Sequence, residues 1–129
     1  MHRFLIALPA VVALSGAASA DGLHAVRPLV GYVCMQLTLS PQQIMDNQEV
    51  LVRDTPSPAG RVIGAAASVV VAPSPQQPTN GYLQMVFRTG KTGWVPATAL
   101  KPWQSMYKPD QGCVPSIMSD GLIGFGPKS

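Results

Sequence analysis

The sequence predicts an all-β fold, a small barrel or sandwich of short strands. Three observations carry this. Apolar and β-branched residues come in runs of about four to seven, each bounded by turn signals, which is the spacing of a sheet and not of amphipathic helices. Proline and glycine are abundant, at 13 and 12 of 129 residues, and they interrupt any long helix. Charged residues make up only 12% and hydrophobic ones 47%. Against a usual charged fraction of roughly 25%, that composition excludes a disordered chain.

The first element is not expected to belong to the fold. A basic start, Met1 to Arg3, precedes an apolar run from Phe4 to Gly16 and the small-residue triplet Ala18-Ser19-Ala20. This order reads as a secretory signal peptide over residues 1–20, cleaved after Ala20. The remaining 109 residues carry a net charge of +2 and a single histidine, His24, and suffice for one domain. No other stretch approaches a spanning length. The expected localisation is therefore periplasmic or secreted, with no membrane span after cleavage. So small a charge, without a basic stripe, excludes nucleic acid as a partner.

The rest of the chain reads as strands and turns in sequence. Leu29 to Leu39 is a β-rich run without proline. Ser40 and Pro41 have the residue types of a helix cap and a first helical position, so a short helical turn opens there. Glu49 to Arg53 alternates as a strand. Asp54 to Gly60 (DTPSPAG) is a loop, because its prolines cannot sit inside a sheet. Arg61 to Gly64 and Ser68 to Ala72 are extended. Pro73 to Gly81 (PSPQQPTNG) is a second proline-rich loop closed by an Asn-Gly turn. Tyr82 to Arg88 and Lys91 to Pro96 form a hairpin around Thr89-Gly90. Ala97 to Leu100 turns, and Lys101 to Trp103 is a last short strand. In the tail, Ser119-Asp120-Gly121 is a turn, and Ile117, Met118, Leu122, Ile123 and Phe125 are apolar enough to dock on the sheet.

Cys34 and Cys113 are the only cysteines. In an exported chain such a pair is expected to form a structural disulfide. It would close a loop worth about 4–5 kcal/mol in the chain-entropy model, a large share of a small domain's stability of roughly 5–15 kcal/mol. Redox chemistry needs a close Cys-x-x-Cys pair, and a metal site needs more ligands than His24 and two cysteines. The scattered methionines are expected to fill the core rather than to bind metal. No cofactor is implied.

From Val50 to Trp103 the order of segments resembles a bacterial SH3-like domain. The matching residues are Val50-Leu51-Val52-Arg53 with Thr55-Pro56-Ser57, then Gly60-Arg61-Val62-Ile63-Gly64, then Asn80-Gly81-Tyr82, and last Gly90-Lys91-Thr92-Gly93-Trp94-Val95 followed by Ala99-Leu100. The Gly-x-x-Gly-Trp-Val hairpin is the most specific of these. Leu51 stands where that family has Asn, and Tyr82 where it has Trp. The resemblance implies a small SH3-like β-barrel over residues 49–103, with an N-terminal extension over 21–48 and a C-terminal tail over 104–129. In such a barrel Gly93 lets another backbone pass close, and Trp94 would cover the open end of the core. An N-terminal strand and the tail, joined by Cys34 and Cys113, would close an edge and enlarge that core.

No catalytic set is visible. Nucleophilic or acid–base catalysis needs a nucleophile, a base and an orienting group within reach, and His24 is expected at a frayed terminus. Asp46 and Glu49 read as solvated carboxylates. The chain is therefore not expected to be an enzyme. The sharper expectation is a ligand-binding groove between the loops 54–60 and 73–81, lined by Arg53, Tyr82 and Trp94. The resemblance implies a non-catalytic binding module of the bacterial cell envelope, with a peptide or peptidoglycan as ligand. The alternative is a structural accessory or inhibitor protein that docks on an envelope enzyme.

Overall fold

The computed structural model of the chain describes residues 22–108 and 112–127. The signal peptide read over residues 1–20 lies outside them. The fold is all-β, with two antiparallel sheets and two short helical segments.

The strands are β1 (Ala25–Pro28), β2 (Tyr32–Leu37), β3 (Leu51–Arg53), β4 (Val62–Ala65), β5 (Val69–Pro73), β6 (Tyr82–Val86), β7 (Thr92–Pro96), β8 (Leu100–Pro102), β9 (Cys113–Met118) and β10 (Ile123–Pro127). A five-residue helix, α1 (Pro41–Met45), lies between β2 and β3. A 3-10 turn, Ala97–Ala99, precedes β8. The large sheet has the order β4-β3-β7-β6-β5-β2-β8, and the small sheet β1-β9-β10.

Local chemistry explains the turns. Ser40 caps α1: its Oγ accepts from the Gln43 backbone N–H at 3.1 Å, and the Gln43 side chain accepts from the Ser40 N–H at 2.8 Å. This reciprocal pair satisfies two otherwise free donors of the first turn. Asn80-Gly81 forms the two-residue turn expected of it, with φ of 53° and 81° and paired Thr79–Tyr82 backbone hydrogen bonds of 2.8 and 2.9 Å. Such a turn needs positive φ at both central positions, which Asn and Gly tolerate. In the β6–β7 hairpin the Phe87 carbonyl accepts from the Gly90 N–H and the Phe87 N–H donates to the Lys91 carbonyl.

The core lies on one face of the large sheet. Alternation along the strands delivers it: Met35 and Leu37 from β2, Val52 from β3, Val70 and Ala72 from β5, Leu83 and Met85 from β6, and Val95 from β7 are all buried. Gly93 is buried on the same face. A Cβ there would run into Val52 Cγ1 and come within 3.2 Å of Ile63 Cδ1, so β7 approaches β3 and β4 more closely than any side chain would allow. The expectation for Gly93 is room for another backbone; the space is taken first by the Val52 side chain, with the Arg53 carbonyl oxygen 3.3 Å from that Cβ position.

Four expectations are corrected. The strand expected over Leu29 to Leu39 is shorter, Tyr32–Leu37: the run opens with a turn at Gly31, at φ 89°, which separates β2 from β1 in the other sheet. The tail is not simply docked, because β9 and β10 form their own hairpin, and β1 pairs with β9 antiparallel, with a register shift between Ala25 and Arg27. The large sheet does not close into a barrel, since β4 and β8 remain its two ends. β2 extends this sheet by pairing with both β5 and β8, and among the described residues no ladder joins β8 to β4. His24 is not frayed, because its carbonyl accepts from the Ser119 N–H at 2.8 Å.

The disulfide joins the two sheets. Cys34 of β2 and Cys113 of β9 are bonded, with Cα atoms 6.2 Å apart and 79 positions between them. Such a bond fits an oxidising compartment. Among the described residues no helix is long and apolar enough to cross a membrane.

Candidate functional site

The face of the large sheet opposite the core holds the residues singled out from the sequence. Val52 is fully buried, so its neighbour Arg53 points to the other face, and the same alternation turns Trp94 outward between buried Gly93 and Val95. Arg53 is the direct cross-strand partner of Trp94, and Trp94 is in turn the partner of Gln84 on β6. Tyr82, two residues before Gln84, shares that face and pairs with Pro96. Arg53, Tyr82 and Trp94 thus lie together on one surface. Trp94 is expected from the sequence to cover the open end of the core and does not: the strand period of two places it on the opposite face.

A cleft of about 240 Å³ opens beside this row. Its walls include Pro73, Pro75, Gln76 and Gln77 from the second proline-rich loop, and Gln84 and Trp94 from the sheet. Trp94 lines it as expected. Arg53 and Tyr82 flank it but are not among its lining residues. Gln84, a residue not singled out from the sequence, completes the wall. The signal was present, since buried Leu83 and Met85 around it force it onto the face of Tyr82. The amides of Gln76 and Gln77 could not be found that way, because an irregular loop has no period to read.

The first proline-rich loop frames this surface and is held by its own polar groups. The Arg53 Nη1 donates to the Gly60 carbonyl at 2.8 Å. The Asp54 carboxylate accepts from the Arg61 N–H at 2.8 Å. Gly60 is packed so that a Cβ would lie 2.6 Å from Thr55 Oγ1. Across the gap between the loops, the Asn80 side chain reaches the Pro56 carbonyl at 3.4 Å. The Arg53 guanidinium therefore spends at least one of its donors on shaping the loop.

The cleft wall is polar and aromatic. It offers amide donors and acceptors, an aromatic face and proline rings, with no ionisable group among its lining residues. Among the described residues no group of three or more His, Cys, Asp or Glu is placed to hold a metal ion. No family model, curated protein or solved structure matches the chain. The SH3-like reading therefore rests on the residues that carry it.

A second concavity, of about 340 Å³, lies between the two sheets. Val69, Val71 and Val86 of the large sheet face Met118, Ile123 and Phe125 of the small one across it. This pocket has no signature in the sequence, because it exists only where the tail hairpin meets the large sheet. The methionines divide accordingly: Met35 and Met85 are core residues, whereas Met45 and Met106 are 76% and 84% exposed, contrary to a core-filling role for all of them.

Proposed function

We propose that the protein is an exported, non-catalytic binding module of the bacterial cell envelope, related to SH3-like domains, which takes an extended peptide or the peptide stems of peptidoglycan in the Trp94 cleft. The observation that carries this is the outer-face row Arg53–Trp94–Gln84, which opens onto a cleft walled by prolines and glutamine amides. An extended peptide exposes unpaired backbone N–H and C=O groups. Glutamine amides can satisfy both kinds, while the indole supplies a flat apolar surface. The chain order of β3, β4, β5, β6 and β7 follows the SH3-like motifs, and the disulfide agrees with export.

The test is co-sedimentation of the full chain with purified peptidoglycan, compared with the Trp94→Ala variant. Retention of the wild type at low salt and its loss on Trp94→Ala supports the reading. No retention of either, together with one protein co-purifying in equal amount from an envelope extract, would replace it with the accessory-protein reading.

A further inference from the structure

We propose that Arg53 recognises a free C-terminal carboxylate, so that the Trp94 site takes the carboxyl end of an extended peptide with that end at β3. The proposal rests on the peptide reading of this site and adds to it an end group and a direction. Arg53 is half-buried, and among the described residues it has no carboxylate partner: the ion pairs are Arg61 with Asp54 and Arg88 with Asp120. Its chain neighbour Asp54 is engaged elsewhere, accepting from the Arg61 N–H at 2.8 Å. The Arg53 Nη1 donates to the Gly60 carbonyl at 2.8 Å. A neutral carbonyl fixes the guanidinium in place without neutralising it. Among the described residues Nε and Nη2 donate to no protein acceptor. These two atoms form one edge of the guanidinium fork, and a carboxylate matches that edge with two parallel hydrogen bonds.

The sheet sets the direction. Arg53, Trp94 and Gln84 are successive cross-strand partners on β3, β7 and β6. Adjacent strands lie about 4.8 Å apart, so the row spans about 10 Å, the length of about three extended residues. A peptide laid across the strands puts its carboxylate on Arg53 and its last side chains over the Trp94 indole. Its backbone, about three residues back, then meets the Gln84 amide. The cleft continues past Gln84 to Gln76 and Gln77 of the second proline-rich loop, which take the residues further upstream. None of the residues lining the cleft is ionisable, so the charge of the ligand is read at the Arg53 end.

The test titrates the full ¹⁵N-labelled chain with acetyl-tetra-alanine as the free acid and as its C-terminal amide, which differ only in the end group. Both should shift the Trp94 indole N–H signal, and the acid alone the Arg53 Nε–H signal. The acid should bind about tenfold tighter than the amide. In Arg53→Gln the ratio of acid to amide affinity should fall to about one. A role for Arg53 in loop shape alone would weaken both peptides together and leave that ratio unchanged. A third titration uses a stem peptide released from peptidoglycan, which carries the same end group. Tighter binding of the stem peptide assigns the carboxylate to the cell wall, and tighter binding of tetra-alanine to a protein terminus; either supports the proposal. Equal affinity of acid and amide in the wild type, with the Trp94 signal moving, overturns the carboxylate proposal and leaves the peptide reading standing. No movement of the Trp94 signal with any of these ligands overturns both. An undiminished preference for the acid in a folded Arg53→Gln variant overturns the assignment to Arg53.

Discussion

Arg53 and Trp94 face each other directly across β3 and β7, on the side of the sheet away from the core, and the Arg53 guanidinium is tied to the Gly60 carbonyl at 2.8 Å. The pair links the rigid sheet to the first proline-rich loop. It also divides two tasks between neighbours, since Trp94 walls the cleft while Arg53 shapes the frame around it.

Trp94→Ala should therefore be mild for stability and severe for binding. Trp94 is half-buried on the outer face, so truncation should cost about 1–2 kcal/mol, less than the loss of a fully buried aromatic. Urea unfolding reads the first effect, and co-sedimentation with peptidoglycan the second.

Arg53→Met should leave the sheet intact and loosen the loop 54–60. It removes a charge-assisted hydrogen bond to the Gly60 carbonyl but keeps most of the apolar stem. Part of the gain from such a bond is screened at a half-exposed site, so a loss of about 1 kcal/mol is expected. Amide exchange should quicken over the loop and stay unchanged in β6.

Gly93→Ala and Gly81→Ala separate two reasons for glycine. At Gly93 the added methyl collides with buried Val52, and overpacking of this kind costs about 1–3 kcal/mol. At Gly81 nothing lies within 4 Å, but φ is 81°, so the cost is conformational and about 1 kcal/mol. Urea midpoints should fall for both with unchanged slopes. The Gly93 variant alone should respond to a compensating Val52→Ala.

Replacing both cysteines by alanine should cost about 2–5 kcal/mol. The loss should not be uniform. The small sheet meets the large one through the Cys34–Cys113 bond and around a pocket that is not filled by side chains. Hydrogen exchange in β1, β9 and β10 should accelerate well before that of β6 and β7. Equal acceleration throughout would mean that the two sheets unfold as one unit.

Much of this protein follows from short-range chemistry and is legible in its residues. The strand period of two carries the sidedness of β6 and β7, with Leu83, Met85 and Val95 inward and Gln84 and Trp94 outward, although Trp94 is expected over the core and Gln84 is not singled out. Asn80-Gly81 specified its turn because few other residues accept positive φ there, and Ser40 with Gln43 specified the cap. Two cysteines and no third partner left a single pairing. Tertiary structure alone decided the rest. A run such as Leu29 to Leu39 looks like one strand, yet it begins with the turn around Gly31 and only Tyr32–Leu37 is extended, while the residues before it, Ala25–Pro28, join another sheet, because sheet membership depends on distant partners. The tail residues are apolar in either arrangement, so only the pairing of β9 with both β1 and β10 shows that they build a second sheet. Closure of the large sheet was undecidable for the same reason: it depends on whether its end strands β4 and β8 pair, and hydrogen-bond ladders between remote segments leave no periodic trace in the chain.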